Sequence, residues 1–303
     1  MSELPDLFPG FSSSTIAVGD LRFFVRAGGS GPPLLCLHGY PETHACWHRV
    51  APELAKSHTV IAMDLRGYGQ SSAPTSTGDN HVQYSKRTMA ADCVAVMQAL
   101  GYDKFSVMGH DRGARVAYRL ALDHSAVLDK LVILDILPTV EVWDALRAES
   151  ALKSYHWAFL AQPAPMPETM ISADPEFYID HTLRSWTQDR SLERLDPGAL
   201  AHYRSFICER PRIHAICEDY RAGATFDRAA DAQDRDDGRK IEAPTLLLWG
   251  ADYLGKGASN PLEVWQRWCT TLEGCEINSG HFLMEENPAD TLSAVLPFLA
   301  RPA

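Results

Sequence analysis

The chain has 303 residues, 46% of them hydrophobic and 22% charged. That composition and length fit one large globular domain, or one with an insert, and exclude disorder, collagen-like repeats and small disulfide scaffolds. The net charge of −11 argues against a nucleic-acid partner, which needs a basic face, and any anionic ligand would have to find local cations of its own.

Residues Met1–Asp6 show no basic stretch followed by an apolar one, so no secretory leader is expected. No apolar run approaches the roughly 18 residues of a membrane-spanning helix. The seven cysteines are odd in number and lack a C-x-x-C pair. This predicts reduced, mostly buried thiols in a cytoplasmic protein, with no zinc or redox motif.

Thr15–Val18 and Leu21–Arg26 read as strands joined by a Gly19-Asp20 turn. Gly28 to Pro33 reads as a loop, and Leu34–Leu37 as a short buried strand. His38-Gly39-Tyr40-Pro41 follows as an irregular loop. Trp47 to Leu54 has helical spacing, and Thr59–Met63 is a strand. Ser85 to Leu100 is an amphipathic helix, Phe105–Met108 a strand, Ala114–Leu122 a helix and Leu131–Leu134 a strand. Such alternation predicts a parallel α/β sheet.

The alternation stops over 139–235, which is helical and rich in Trp, Tyr and His. Gln162 to Pro167 reads as a loop, and the charged run Asp227 to Lys240 as a solvated connection. The pattern resumes with a strand at Thr245–Trp249, a helix near Leu262–Cys269, a strand near Cys275–Asn278 and a helix at Ala289–Leu299. The expected organisation is therefore an α/β core in two parts, 1–138 and 236–303. A helical cap, 139–235, is inserted after the strand ending near Asp135 and lies over the ligand side of the sheet.

Gly109-His110-Asp111-Arg112-Gly113 lies between a strand and a helix. That is the setting of a nucleophile elbow, normally G-x-S-x-G, with Asp111 in place of serine. A carboxylate nucleophile suits displacement at a saturated carbon, forming an ester that water then hydrolyses. The bland alternative for Asp111 is a helix N-cap. The base is expected late in the chain, at His281, one of twelve histidines. Its orienting acid is Asp135 or Asp252, each just after a strand, and spacing does not choose between them. The backbone N–H groups of Tyr40 and Arg112 are the expected oxyanion donors. Arg115 lies one helical turn from Asp111 and Arg112 is adjacent to it. Two cations there would keep Asp111 ionised and bind a substrate carboxylate, unless both pair with structural carboxylates.

These residues resemble the α/β-hydrolase superfamily over nearly the whole chain, and within it the fluoroacetate (haloacetate) dehalogenases. The segment from Gly109 to Arg115 resembles that family's nucleophile segment, and Ser279 to Phe282 its base segment. The resemblance implies Asp135 as the triad acid and Arg112 and Arg115 as the carboxylate-binding pair. It implies His156, Trp157 and Tyr220 as halide-binding donors; on composition alone the last two read as core aromatics. The implied substrate is a small anionic 2-haloacid, hydrolysed without metal or organic cofactor, by a homodimer. Tyr40 stands where many relatives are expected to carry Phe, and Trp186 is a further pocket candidate. An epoxide hydrolase, with Tyr155 and Tyr220 protonating the epoxide oxygen, is the first rival. A ligand-binding module on a reused hydrolase scaffold is the second.

Overall fold

The computed structural model describes residues 4–76 and 80–302, so part of the Met1–Asp6 reading lies outside the described residues. Among them, eight strands form one sheet. They are β1 (Ser12–Val18), β2 (Leu21–Gly29), β3 (Pro33–Leu37), β4 (Thr59–Met63), β5 (Phe105–His110), β6 (Leu128–Leu134), β7 (Thr245–Gly250) and β8 (Leu272–Ile277). Their order is β1-β2-β4-β3-β5-β6-β7-β8. The β1–β2 and β2–β4 pairs are antiparallel and the rest are parallel.

Burial follows from that order. All six residues of central β5 are buried, and β3 and β6 are nearly so. Covered on both faces, they carry apolar stretches such as Leu34–Leu37 and Leu131–Leu134 rather than an alternating pattern. The edge strand β1 alternates between exposed and half-buried residues. The helix Lys86–Ala99, capped by Ser85, packs on the helix Asp111–Asp123, which in turn lies against β5 and β6.

The expected elements are present with shifted ends, except that the helix predicted over Trp47 to Leu54 is split into a 3-10 turn at His44–Trp47 and a short helix at Ala51–Leu54. The strand predicted at Leu131 begins at Leu128, and the one predicted at Cys275 begins at Leu272. The helix predicted from Ala114 begins at Asp111, immediately after β5. Of the predicted Gly28–Pro33 loop, Gly28 and Gly29 belong to β2 and Pro33 to β3. The Gln162–Pro167 loop gives way to a helix at Met166. Five cysteines are buried, but Cys208 and Cys275 are exposed, and all seven are free.

Between β6 and β7 the chain is helical, from Thr139–Asp144 through Tyr155–Leu160, Pro175–Trp186 and Arg210–Ala222 to Arg228–Asp236. The charged run is a solvated connection only in part: Arg235 to Lys240 are exposed, but the run begins as a helix with a buried acidic face. Asp227, Asp231 and Asp234 are all buried. Arg119, on the core helix, donates to Asp231 at 2.7 Å and Asp234 at 2.5 Å. Tyr118 Oη donates to Asp231 at 2.7 Å. Asp231 and Asp234 are spent on a buried arginine and Asp227 accepts from Lys86 N at 2.8 Å, so their charge does not signal exposure. Among the described residues no helix is long and apolar enough to cross a membrane.

Candidate active site

Parallel strands deliver their following loops to one edge of the sheet. The loops after β3, β5, β6 and β8 carry Tyr40, Asp111, Asp135 and His281 to that edge. Asp111 has φ +43°, in the left-handed region. For a residue with a side chain this strain is of order 1–3 kcal/mol, and it persists only where the surroundings enforce it. The flanking glycines supply the close approach. A Cβ on Gly109 would sit 2.7 Å from the Ala114 Cα, and one on Gly113 would strike the Leu37 carbonyl oxygen. A Cβ on Gly39 would lie 2.5 Å from the Asp111 Cβ. The positive φ thus falls on the acidic residue itself, and the glycines let strand, helix and loop close around it.

His281 Nδ1 lies 2.6 Å from Asp135 Oδ2, and Gly250 N donates to Asp135 Oδ1 at 2.8 Å. Asp252 makes no contact with His281; it accepts from Gln188 Nε2 at 2.6 Å and pairs with Lys256. His281 Nε2 faces Asp111 Oδ2 at 3.7 Å with no hydrogen-bond partner among the described residues. Burial by itself would favour a neutral His281, but the Asp111 and Asp135 carboxylates outweigh it and push its pKa up to about 10. Burial likewise opposes ionisation of Asp111, yet His281, Arg115 and His110 hold its carboxyl well below the usual carboxylate range.

Tyr40 N donates to Asp111 Oδ1 at 3.0 Å. Arg112 N lies in the first turn of its helix, where N–H groups lack intrahelical acceptors. Both expected oxyanion donors therefore adjoin the nucleophile position.

The two arginines differ. Arg112 is locked to Asp219 through Nε at 3.1 Å and Nη2 at 2.6 Å. Its carbon Cζ lies 4.2 Å from the Tyr220 ring centroid. Arg115 has no carboxylate partner among the described residues. Its Nη1 donates to the Leu137 carbonyl at 3.0 Å and Thr139 Oγ1 at 3.1 Å, and it lies over Trp157 at 4.5 Å. Arg112 Nη1 and Arg115 Nε are buried donors with no protein acceptor.

The helical segment brings His156, Trp157 and Tyr220 over this floor, all buried. His156 and Tyr220 are 5.8 Å apart between ring centroids, and Trp157 and Tyr220 6.2 Å. His156 Nδ1 is buried without a partner. Burial pushes the His156 pKa down to about 3, against the pull of Asp111, so the ring is neutral at pH 7. Burial and the Asp111 charge raise Tyr220, which stays a phenol donor. Trp186 joins them, 4.6 Å from His156 and 5.4 Å from His281. Tyr155 is 38% exposed and turns partly to solvent, which weakens its casting beside Tyr220. Tyr40 is fully buried, and its hydroxyl donates to Tyr178 Oη at 3.1 Å.

Sequence reasoning missed Asp219, Tyr253 and the pair Glu42–His110. Tyr253 lies 4.3 Å from the His281 ring. Asp219 adjoins Tyr220, but nothing local marks it as the partner of Arg112. Among the described residues no group of three or more His, Cys, Asp or Glu could hold a metal ion.

The α/β-hydrolase fold family model matches residues 32–288. The chain is 39% identical to a fluoroacetate dehalogenase of Burkholderia sp, over 97% of this chain and 95% of that protein. It is 32% identical to a soluble epoxide hydrolase of Corynebacterium sp. (strain C12), over 93% and 95% respectively. A solved structure from Nostoc sp PCC 7120, provisionally described as an alpha/beta hydrolase, superposes with a TM-score of 0.92 at 45% identity, covering 96% of this chain and 98% of that one. Fold, elbow and relatives agree, and the chain belongs to the α/β-hydrolase family.

Proposed function

We propose that this hydrolase removes halide from 2-haloacetates, fluoroacetate included, giving glycolate. The observation that carries the reading is the pair of buried, unpartnered guanidinium atoms, Arg112 Nη1 and Arg115 Nε, beside Asp111. Buried cationic donors without acceptors are costly, and a substrate carboxylate would satisfy both. This also supplies the local positive field that a protein of charge −11 needs to take an anion.

In this reading Asp111 attacks the α-carbon, forming a C–O bond as the carbon–halogen pair leaves with the halide. His156, Trp157 and Tyr220 each offer a hydrogen-bond donor to the departing anion. The Asp111 ester is neutral, so it no longer raises His281, which sheds its proton to solvent and is then free to take one from the attacking water. Asp135 steadies the resulting imidazolium. The tetrahedral oxyanion then meets Tyr40 N and Arg112 N, and collapse releases glycolate and regenerates Asp111.

The second reading is an epoxide hydrolase, favoured by the Corynebacterium relative and the shared carboxylate–imidazole chemistry. Steady-state rates with fluoroacetate, chloroacetate and a neutral epoxide separate the two. Halide release without epoxide opening is the expected result. Epoxide opening alone would return the arginines to a structural role.

A further inference from the structure

The loop after β7 brings an aromatic ring to the base, and no step of the reaction uses it. Asp252 N donates to the Ser279 carbonyl at 3.0 Å, and Tyr253 N to the Gly250 carbonyl at 3.2 Å. The loop is thereby tied to the base loop and to its own strand. Gln188 and Lys256 hold the Asp252 side chain away from His281. The next side chain, half-buried Tyr253, turns inward instead. Its ring centroid lies 4.3 Å from that of His281, with the planes 35° apart, and 6.1 Å from Trp186. Burial and the Asp135 and Asp111 carboxylates push its phenol well above the usual range, so it stays uncharged.

Displacement at the α-carbon shows what that ring faces. Asp111 attacks opposite the departing halide, so the axis runs from the elbow to His156, Trp157 and Tyr220. Three further substituents spread around this axis. One is the carboxylate, and in a haloacetate the other two are hydrogens. Arg112 lies 4.2 Å from the Tyr220 ring and Arg115 4.5 Å from Trp157, so that side takes the carboxylate. The hydrogens point away from the arginines. On the side toward the base the wall is His281, Trp186 and Tyr253, with Trp186 4.6 Å from His156 and 5.4 Å from His281. A carbon group in place of a hydrogen would be pressed into these rings, and overpacking of this kind is unfavourable.

We infer that Tyr253 is a specificity-determining residue: its ring fills the base side of the pocket and restricts the enzyme to 2-haloacids whose α-carbon carries no second carbon group. This rests on the 2-haloacetate reading. The bulk of the ring does the excluding, and its hydroxyl is not required.

Halide release from chloroacetate and from each enantiomer of 2-chloropropionate tests this in wild type, Tyr253→Ala and Tyr253→Phe. The added methyl slows displacement intrinsically, but equally in every variant, so the change in the ratio of kcat/KM values reads the ring alone. In Tyr253→Ala the ratio should move at least about tenfold toward one enantiomer of 2-chloropropionate, the scale of one methylene in a pocket. In Tyr253→Phe it should stay within about twofold of wild type. A shift below about twofold in Tyr253→Ala for both enantiomers would overturn the inference, as would equal losses on both acids, which make the ring a support for His281. An equal shift in Tyr253→Phe would also overturn it. If Tyr253→Ala does not fold, Tyr253→Leu is read in the same way. A wild-type enzyme that releases halide from neither acid would instead defeat the underlying reading.

Discussion

Arg112 grips both carboxylate oxygens of Asp219, at 3.1 and 2.6 Å, and leaves Nη1 buried with no protein acceptor. Asp219 is itself shared, with Tyr68 Oη donating at 2.8 Å and Lys86 paired to it. One aspartate on the helical segment therefore fixes a core arginine and is shared with a second buried cation, Lys86, which also faces Asp227. Asp219→Asn should leave Arg112 and Lys86 short of countercharge, a loss of about 3–5 kcal/mol. Thermal or urea unfolding reads this directly. A change below about 1 kcal/mol would mean the cluster is not held by charge.

His281 is expected to serve only the second half of the reaction. His281→Gln should release about one halide per enzyme and then stall, with the mass of the substrate's acid fragment retained on Asp111. Continued turnover in that variant would assign water activation to another group.

The His281–Asp111 charge relationship has a pH signature. The folded pKa of His281, about 10, lies above its ordinary 6.5. Its contribution to stability is full below 6.5 and is lost as pH rises through 10. Asp111→Asn removes one of the two carboxylates responsible. The variant's His281 should titrate at lower pH by NMR, and its stability should decline less between pH 7 and 10. An unchanged His281 titration would show that Asp135 alone sets it.

The three donors above the elbow should matter more for fluoride than for chloride. Fluoride is the stronger hydrogen-bond acceptor and the poorer leaving group. A bond to a charged acceptor contributes about 1.5–3 kcal/mol, so Trp157→Phe should slow fluoride release by roughly 10–100-fold. Chloride release should fall less. Equal losses for both halides would make Trp157 a packing residue.

Much of this site is local in sequence. The strand–Gly-x-Asp-x-Gly–helix order of β5 and its successor announces the elbow without any distant information. The choice between Asp135 and Asp252 is not local, because both follow strands. It is made by where the His281 loop descends, 2.6 Å from Asp135, while Asp252 turns to Gln188 and Lys256. The same limit explains the misread charged run. Asp231 and Asp234 look solvated until the buried Arg119, far away in the chain, is placed beside them. Glu42 and His110 escaped notice for that reason too, since they meet only once β3 and β5 are laid side by side.

If Asp111 is the nucleophile, one of its carboxylate oxygens ends up in the product. A single turnover of fluoroacetate in heavy-oxygen water, with enzyme in excess, tests it. Fluoride should appear with glycolate whose hydroxyl is unlabelled, and the heavy oxygen should be found in the Asp111 carboxylate. Labelled glycolate from the first turnover, with Asp111 unlabelled, would mean direct attack by water and would contradict the account.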